Sequence, residues 1–170
     1  QVLSIQADFE EGKAREVLKA AYLKQGTLFH RQKNYANAAK EYENAAQVDP
    51  TDASSFYNLG LARKSSRNFR AAREAFQTAV ELNPKYAKAW RALGDLNRVT
   101  KRNSQAISAY RKAIDSDPNC KDKRNINAYL SLAIIYNATK QHAKAATILQ
   151  KAAPVAPSKP SKVKVYVAWG

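Results

Sequence analysis

The side chains that most often carry chemistry are scarce in this chain. His30 and His142 are its only histidines, 112 positions apart, and neither stands at metal-ligand spacing from another ligand type. Cys120 is the only cysteine. It can form no disulfide within the chain, and with no histidine beside it the expectation is an inert thiol. There is no Gly-rich phosphate loop, and no Ser-His-Asp arrangement at a recognised spacing. No catalytic residue, metal ligand or cofactor is therefore assigned, and the chain is expected not to be an enzyme.

Charge is the chemistry that remains. Lys and Arg total 29 against 14 Asp and Glu, a formal net of +15. Such a chain is drawn to acidic protein surfaces, nucleic acid and anionic headgroups. Charge alone does not choose among them. Apolar residues make up 45 % of the 170, which excludes a disordered chain. No apolar run approaches the ~20 residues needed to span a bilayer. The chain starts at Gln1 and has no methionine. The expectation is a soluble, mature or trimmed product from which any targeting peptide has gone, with the compartment left open.

Only helices suit the elements that must position these charges. Gly (5) and Pro (6) are too few for the many turns of an all-β fold. Alanines pair with apolar residues three or four positions away, which is helical spacing. Three Asx-Pro pairs, Asp49-Pro50, Asn83-Pro84 and Asp117-Pro118, place their prolines 34 residues apart. With Lys19, Ala53 and Ala87 as position 1 of three repeats, position 8 is Gly26, Gly60 and Gly94. Position 20 is Ala38, Ala72 and Ala106, and position 24 is Tyr42, Phe76 and Tyr110. Position 4 is Tyr22, Phe56 and Trp90. A fourth repeat starts at Ile126 after a five-residue insertion, Lys121 to Asn125, with Tyr129, Ala133, Ala145, Leu149 and Pro157 in register. Small residues at positions 8 and 20 let two antiparallel helices approach closely. Asn34 and Asn68 fall between the helices of their repeats, where an N-cap is wanted.

This pattern resembles the tetratricopeptide repeat family, whose signature is W-x2-L-G-x2-Y, then A-x3-F, A and P. The third repeat carries Trp90, Leu93, Gly94, Ala106, Tyr110, Ala113 and Pro118 in those slots. The resemblance spans about residues 19–157 and implies an all-α, right-handed solenoid of four helical hairpins: 19–52, 53–86, 87–120 and 126–157. Some positions depart from the family pattern. Lys19 stands at position 1, Gln25 at position 7, Arg63 and Asn97 at position 11, and Ala133 replaces glycine. Pro154 is expected to end the last helix early.

The ends differ from the repeats. Residues 1–18, with Phe9, Val17 and Leu18 among charges, are expected to form a short capping helix against the first hairpin. Residues 158–170 read as an extended tail. There Val163, Val165 and Val167 alternate before Trp169, which is a strand pattern. It would pair with a partner chain, open a further domain, or fold back on the last helix.

The resemblance also implies a concave groove lined by the first helix of each hairpin. Its cations are Lys24, Arg31, Lys64, Lys88, Arg91 and Arg98, its one acid is Asp95, and His30, Asn58, Asn127 and Asn137 add polar groups. Tyr57, Leu61 and Leu130 add apolar contact. A concave wall focuses such a field and favours an acidic or carboxylate-bearing protein partner. Some family members clamp the C-terminal carboxylate of cytosolic chaperones with Lys, Asn, Asn, Lys and Arg. This chain has Leu23, Thr27, Asn58, Lys88 and Ala92 there, so that ligand is not expected.

The turns inside the hairpins form a basic edge with Lys33, Arg67, Lys101, Arg102 and Lys140. The leading reading is a non-catalytic protein-binding scaffold within a larger complex. The second is a basic subunit against RNA or an anionic surface in a ribonucleoprotein or organellar assembly. RNA contact wants aromatics among the cations, and the edge has few. The third is the interaction arm of a longer enzyme that continues beyond Gly170.

Overall fold

The computed structural model describes residues 2–156, with side chains described from residue 10 onward. Among these residues there are eight α-helices and no strand. They are α1 (Val2–Arg31), α2 (Tyr35–Val48), α3 (Ala53–Ser65), α4 (Phe69–Leu82), α5 (Ala87–Val99), α6 (Asn103–Ser116), α7 (Ile126–Ala138) and α8 (His142–Val155). A short 3-10 turn, Lys123–Asn125, precedes α7. The chain divides into two lobes, the first ending at Leu82 and the second starting at Asn83. In the first, α1 pairs with α2 and α3 with α4, and α2 also packs on α3. In the second, α5 pairs with α6 and α7 with α8, and α6 also packs on α7.

Each of the first three hairpins closes on a ring laid over a glycine. A Cβ on Gly26 would stand 2.7 Å from the Tyr42 ring, one on Gly60 2.5 Å from Phe76, and one on Gly94 2.7 Å from Tyr110. The backbones approach as closely as they do because position 8 has no side chain. The fourth repeat makes the opposite choice, Ala133 with the smaller Leu149, and both are buried.

The turns inside the hairpins are alike too. Asn34 N–H donates to the Phe29 carbonyl at 2.9 Å and Lys33 N–H to His30 at 3.0 Å, the paired bonds of a Schellman ending. The same pair recurs at Arg67 and Asn68, at Lys101 and Arg102, and at Lys140 and Gln141. Lys33, Arg67, Lys101 and Lys140 all take positive φ, between 58° and 62°. Glycine is usual at that position, and this chain places a cation there four times. Asn34 and Asn68 cap as expected, their Oδ1 atoms accepting from Asn37 N–H at 3.3 Å and Ala71 N–H at 3.2 Å.

The Asx-Pro joints work through the residue before proline. Asp49 Oδ1 accepts from Thr51 N–H, Asn83 Oδ1 from Lys85 N–H and Asp117 Oδ1 from Lys121 N–H, at 3.1, 3.1 and 2.8 Å. The position-4 aromatics then tie the joints down in the second lobe. Trp90 Nε1 donates to the Pro84 carbonyl at 2.8 Å and Tyr129 OH to that of Pro118 at 2.9 Å. The insertion is ordered by Asn125, 1 % exposed, whose Nδ2 donates to the Ala113 and Asp117 carbonyls at 3.0 and 3.1 Å.

Two expectations are corrected. No separate capping helix exists at 1–18: α1 runs unbroken for 30 residues. Lys13, Ala14, Arg15, Glu16, Leu18 and Lys19 are strong helix formers with no cap or breaker among them. Residues 10–18 are exposed, with Val17 70 % and Leu18 45 % accessible, and Gly12, Arg15 and Glu16 border the Asp49–Thr51 joint at the edge of the first hairpin. Nor does Pro154 shorten α8, which at 14 residues equals α2, α4 and α6. Pro154 stands one residue from the helix end, where it forfeits a single backbone bond. Pro157, and the strand expected at Val163, Val165 and Val167 with Trp169, lie outside the described residues.

Lys19, irregular for its position, ties the two ends of the first hairpin together. Its Nζ is 2.6 Å from Asp49 Oδ2. That bond, with a second from Thr51, holds the Asp49 carboxyl down at about 2. A depressed carboxyl contributes stability above its unfolded value of 3.8 and loses it as pH falls toward 2. Both side chains are partly solvated, 23 % and 31 % exposed, so the expected contribution is at most about 1 kcal/mol. Lys19→Met should therefore cost that much at pH 6 and almost nothing at pH 2, as read from urea midpoints.

Candidate partner-binding surfaces

In the first lobe, α1 gathers several of the expected groove residues at one place. Leu23, Lys24, Thr27 and Arg31 line an open hollow of about 690 Å³, together with Ala21, Gln25 and Leu28. Its floor is aliphatic and its cations, Lys24 and Arg31, are exposed. Leu28, 47 % exposed, was not among the expected residues. Its equivalents Ala62, Leu96 and Ile135 are buried at 0–3 %; Ala62 shares a core cluster with Ala38 and Tyr42 of the first hairpin, and Ile135 one with Ala106 and Tyr110 of the third. Only the first repeat leaves it open.

Other residues of the first lobe are held by internal contacts. The His30 ring meets Tyr35 edge-on at 5.2 Å, and its Nε2 lies 3.4 Å from Ser65 Oγ. Tyr57 is tilted against Phe76 with centroids 6.0 Å apart. Asn58, Leu61 and Lys64 are half-buried on the same helix. The N-terminus of α3 is fixed by Asp52, whose carboxylate accepts from the backbone N–H and hydroxyl of both Ser54 and Ser55. Burial acts to raise that carboxyl, but these bonds outweigh it and hold it below the ordinary range.

In the second lobe, Lys88 and Arg98 are exposed and Arg91 is half-buried. Arg91 Nε is buried with no hydrogen-bond partner. Asp95 turns out to serve the fold: it accepts from Tyr110 OH at 2.7 Å. Burial and the Asp95 charge drive the Tyr110 hydroxyl well above its usual value, while Ser131 and Arg98 act on it in the other direction. The parallel bond in the first repeat is Tyr42 OH to Thr27 Oγ1 at 3.3 Å. The sequence carries a sign of this pairing. Tyrosine at position 24 goes with a polar residue at position 9 (Thr27, Asp95), and Phe76 or Leu149 goes with Leu61 or Ile134. Leu130 is half-buried and Asn127 exposed, and Asn137 lies 3.3 Å from His142 Nδ1.

The edge residues Lys33, Arg67, Lys101, Arg102 and Lys140 are all exposed at their turns. Cys120 is buried, and burial, with Asp117 and Asp122 nearby, pushes its thiol up to about 11. It stays a thiol at neutral pH and is a poor nucleophile. Among the described residues no three metal-binding side chains converge, and no helix is long and apolar enough to cross a membrane.

A tetratricopeptide repeat family model matches residues 57–119, and a second, described as a TPR repeat, matches 26–66. Together they span more than half the chain, in register with the glycine-and-ring pairs. The chain belongs to the tetratricopeptide repeat family. A crystal structure of MamA is 28 % identical, with a TM-score of 0.72 over 89 % of this chain and 91 % of that one. PilF of Pseudomonas aeruginosa is 18 % identical, with a TM-score of 0.77 over 92 % of this chain and 68 % of that one. The first tetratricopeptide domain of Spaghetti (RPAP3), solved with the HSP90 peptide SRMEEVD, is 22 % identical, with a TM-score of 0.65 over 72 % of this chain and 94 % of that one. These likenesses show the all-α tetratricopeptide solenoid fold, which is a scaffold for protein–protein interaction. No curated protein sequence matches significantly.

Proposed function

We propose that this tetratricopeptide chain is a non-catalytic scaffold that holds an acidic or carboxylate-bearing protein segment against the first helices of its hairpins, as part of a larger assembly. One observation carries this reading. The only carboxylate among the groove positions, Asp95, is engaged by Tyr110. The phenol orients that carboxylate without cancelling its charge, and cations outnumber it: Lys24, Arg31 and Lys64 in the first lobe, beside the aliphatic side chains near Lys24 and Arg31, and Lys88, Arg91 and Arg98 in the second. Cations next to apolar contact suit a peptide that alternates acidic and apolar side chains. The Spaghetti domain holds an acidic peptide, SRMEEVD. That same ligand does not suit this chain, which has Leu23 and Thr27 where a chaperone clamp needs Lys and Asn. Charge reversal at Lys64 and Arg98 tests the reading. Loss of the natural partner supports it, and undiminished binding overturns it.

A second reading rests on the edge. A cation in left-handed backbone is harder to hold than glycine, yet all four hairpin turns place one there. Cations on exposed turns would suit RNA or another anionic surface. Arg67→Gly should raise stability by up to about 1 kcal/mol in thermal or urea unfolding. Under this reading, Lys101→Gly with Arg102→Gln should also weaken salt-sensitive retention on RNA. Retention that survives both changes counts against edge-mediated binding.

A further inference from the structure

On the side of the second helices, each lobe carries a cleft where its two hairpins meet, with Arg63 of α3 or Tyr136 of α7 in its wall. The two clefts share most of their repeat positions; Phe56 and Leu59 line only the first, and Lys144 only the second. In the first lobe it is about 300 Å³ and is lined by Glu43, Arg63, Glu74 and Thr78. In the second lobe it is about 330 Å³, and the residues at those positions are Arg111, Tyr136, Thr147 and Lys151.

The charge logic is inverted between them. In the first lobe Arg63 Nη2 meets Glu43 Oε1 at 2.9 Å, and Glu74 adds another carboxylate to the lining. That cleft neutralises its own cation. In the second lobe the arginine sits on the opposite helix, and Arg111 Nη2 donates to Tyr136 OH at 2.8 Å. A neutral phenol orients the guanidinium but leaves its charge uncancelled. Lys144 stands 5.9 Å from the Tyr136 ring centre, and Lys151 lines the same cleft. Against these three cations the lining holds one carboxylate, Asp115, and among the described residues none of the three is in an ion pair. Between the cations the walls are Ile114 and Ile148. The equivalents in the first lobe are the smaller Ala46 and Ala75.

We infer that this cleft, formed by α6, α7 and α8, is a second binding site for an acidic peptide segment. A carboxylate of the segment is held by Arg111, Lys144 and Lys151, and a neighbouring aliphatic side chain lies against Ile114 and Ile148. Charge complementarity selects an anion, and the apolar wall selects a peptide over a bare inorganic one. The site is independent of the groove reading, since it shares no residue with it.

The test is an amide NMR titration of the full chain with acetyl-Glu-Leu-Glu-Leu-amide. The glutamine version of that peptide and inorganic phosphate are run at equal concentration. The expected result is saturable shifts at Ile114, Ile148 and Lys151 with the glutamate peptide only. Lys144→Glu with Lys151→Glu, two exposed positions, should weaken them at least tenfold, as should Arg111→Gln in a separate variant. The proposal is overturned if the glutamate peptide leaves these amides unmoved, if the glutamine peptide binds equally well, or if the lysine reversals change nothing. Phosphate moving the same amides as far as the peptide would also overturn it, by reducing the cleft to a simple anion site.

Discussion

Gly60→Ala destabilises the chain by about 2 kcal/mol, read as a lower urea midpoint at unchanged slope. The sign is the informative part. Helix propensity alone favours alanine over glycine by about 1 kcal/mol, so an unconstrained helical glycine would respond in the opposite direction. Here the added Cβ would lie 2.5 Å from Cδ1 and Cε1 of Phe76 and 3.0 Å from its Cγ. Phe76 is 0 % exposed, so the ring has no open side to move toward. Either the ring leaves its rotamer or the two helices part, and both responses loosen the hairpin. The fourth repeat shows the compatible alternative, Ala133 with Leu149. Adding Phe76→Leu to Gly60→Ala should therefore cost less than the two changes summed, with a coupling of about 1 kcal/mol. A more stable Gly60→Ala variant would mean that the ring does not constrain the helix spacing.

Asn125→Ala costs about 2–3 kcal/mol, measured by the same unfolding titration. Its Nδ2 supplies donors to two carbonyls at the end of α6, those of Ala113 and Asp117. Truncation removes both bonds and empties a site that is 1 % exposed. The five inserted residues thus have a structural reason: they bring an amide donor back under the preceding helix before α7 begins. Asn125→Asp should be at least as damaging at neutral pH, because it turns the donor into a charged acceptor facing those carbonyls. A cost below about 0.5 kcal/mol for Asn125→Ala would show that water replaces the amide without penalty.

The hairpins were legible in the sequence because small and aromatic residues recur every 34 positions, and such spacing has few other physical meanings. The caps at Asn34 and Asn68 were legible because asparagine between two helical stretches has a local role. The continuity of α1 was harder to read. A repeat boundary at Lys19 suggests a cap there, but the chain between Lys13 and Lys19 contains no capping or helix-breaking residue. The left-handed cations had no signature at all, since the turn they occupy ordinarily announces itself by glycine. The candidate groove was legible as a set of charges, not as a set of roles. Asp95 counted as a ligand-facing acid until its bond to Tyr110 placed it in the hairpin's own structure. Leu28 stands at position 10, outside the groove positions that the resemblance implies; its repeat equivalents are core residues, and the first repeat exposes it. The second-helix cleft lay beyond sequence reasoning because its cations come from two helices more than thirty residues apart.

The central claim is that a protein partner is held by cations on the first helices. It is tested most directly by a quantitative pull-down with mass spectrometry, comparing the intact chain with Lys64→Glu, Arg98→Glu. Lys64 is half-buried and Arg98 exposed, and neither is in an ion pair among the described residues. Because Arg98 acts on the Tyr110 hydroxyl, the unfolding midpoints of both proteins are measured and retention is compared where both are folded. The account predicts that an acidic partner retained by the intact chain falls by about tenfold or more with the reversal, and more steeply at low salt. Equal retention by both proteins, with both folded, would contradict it.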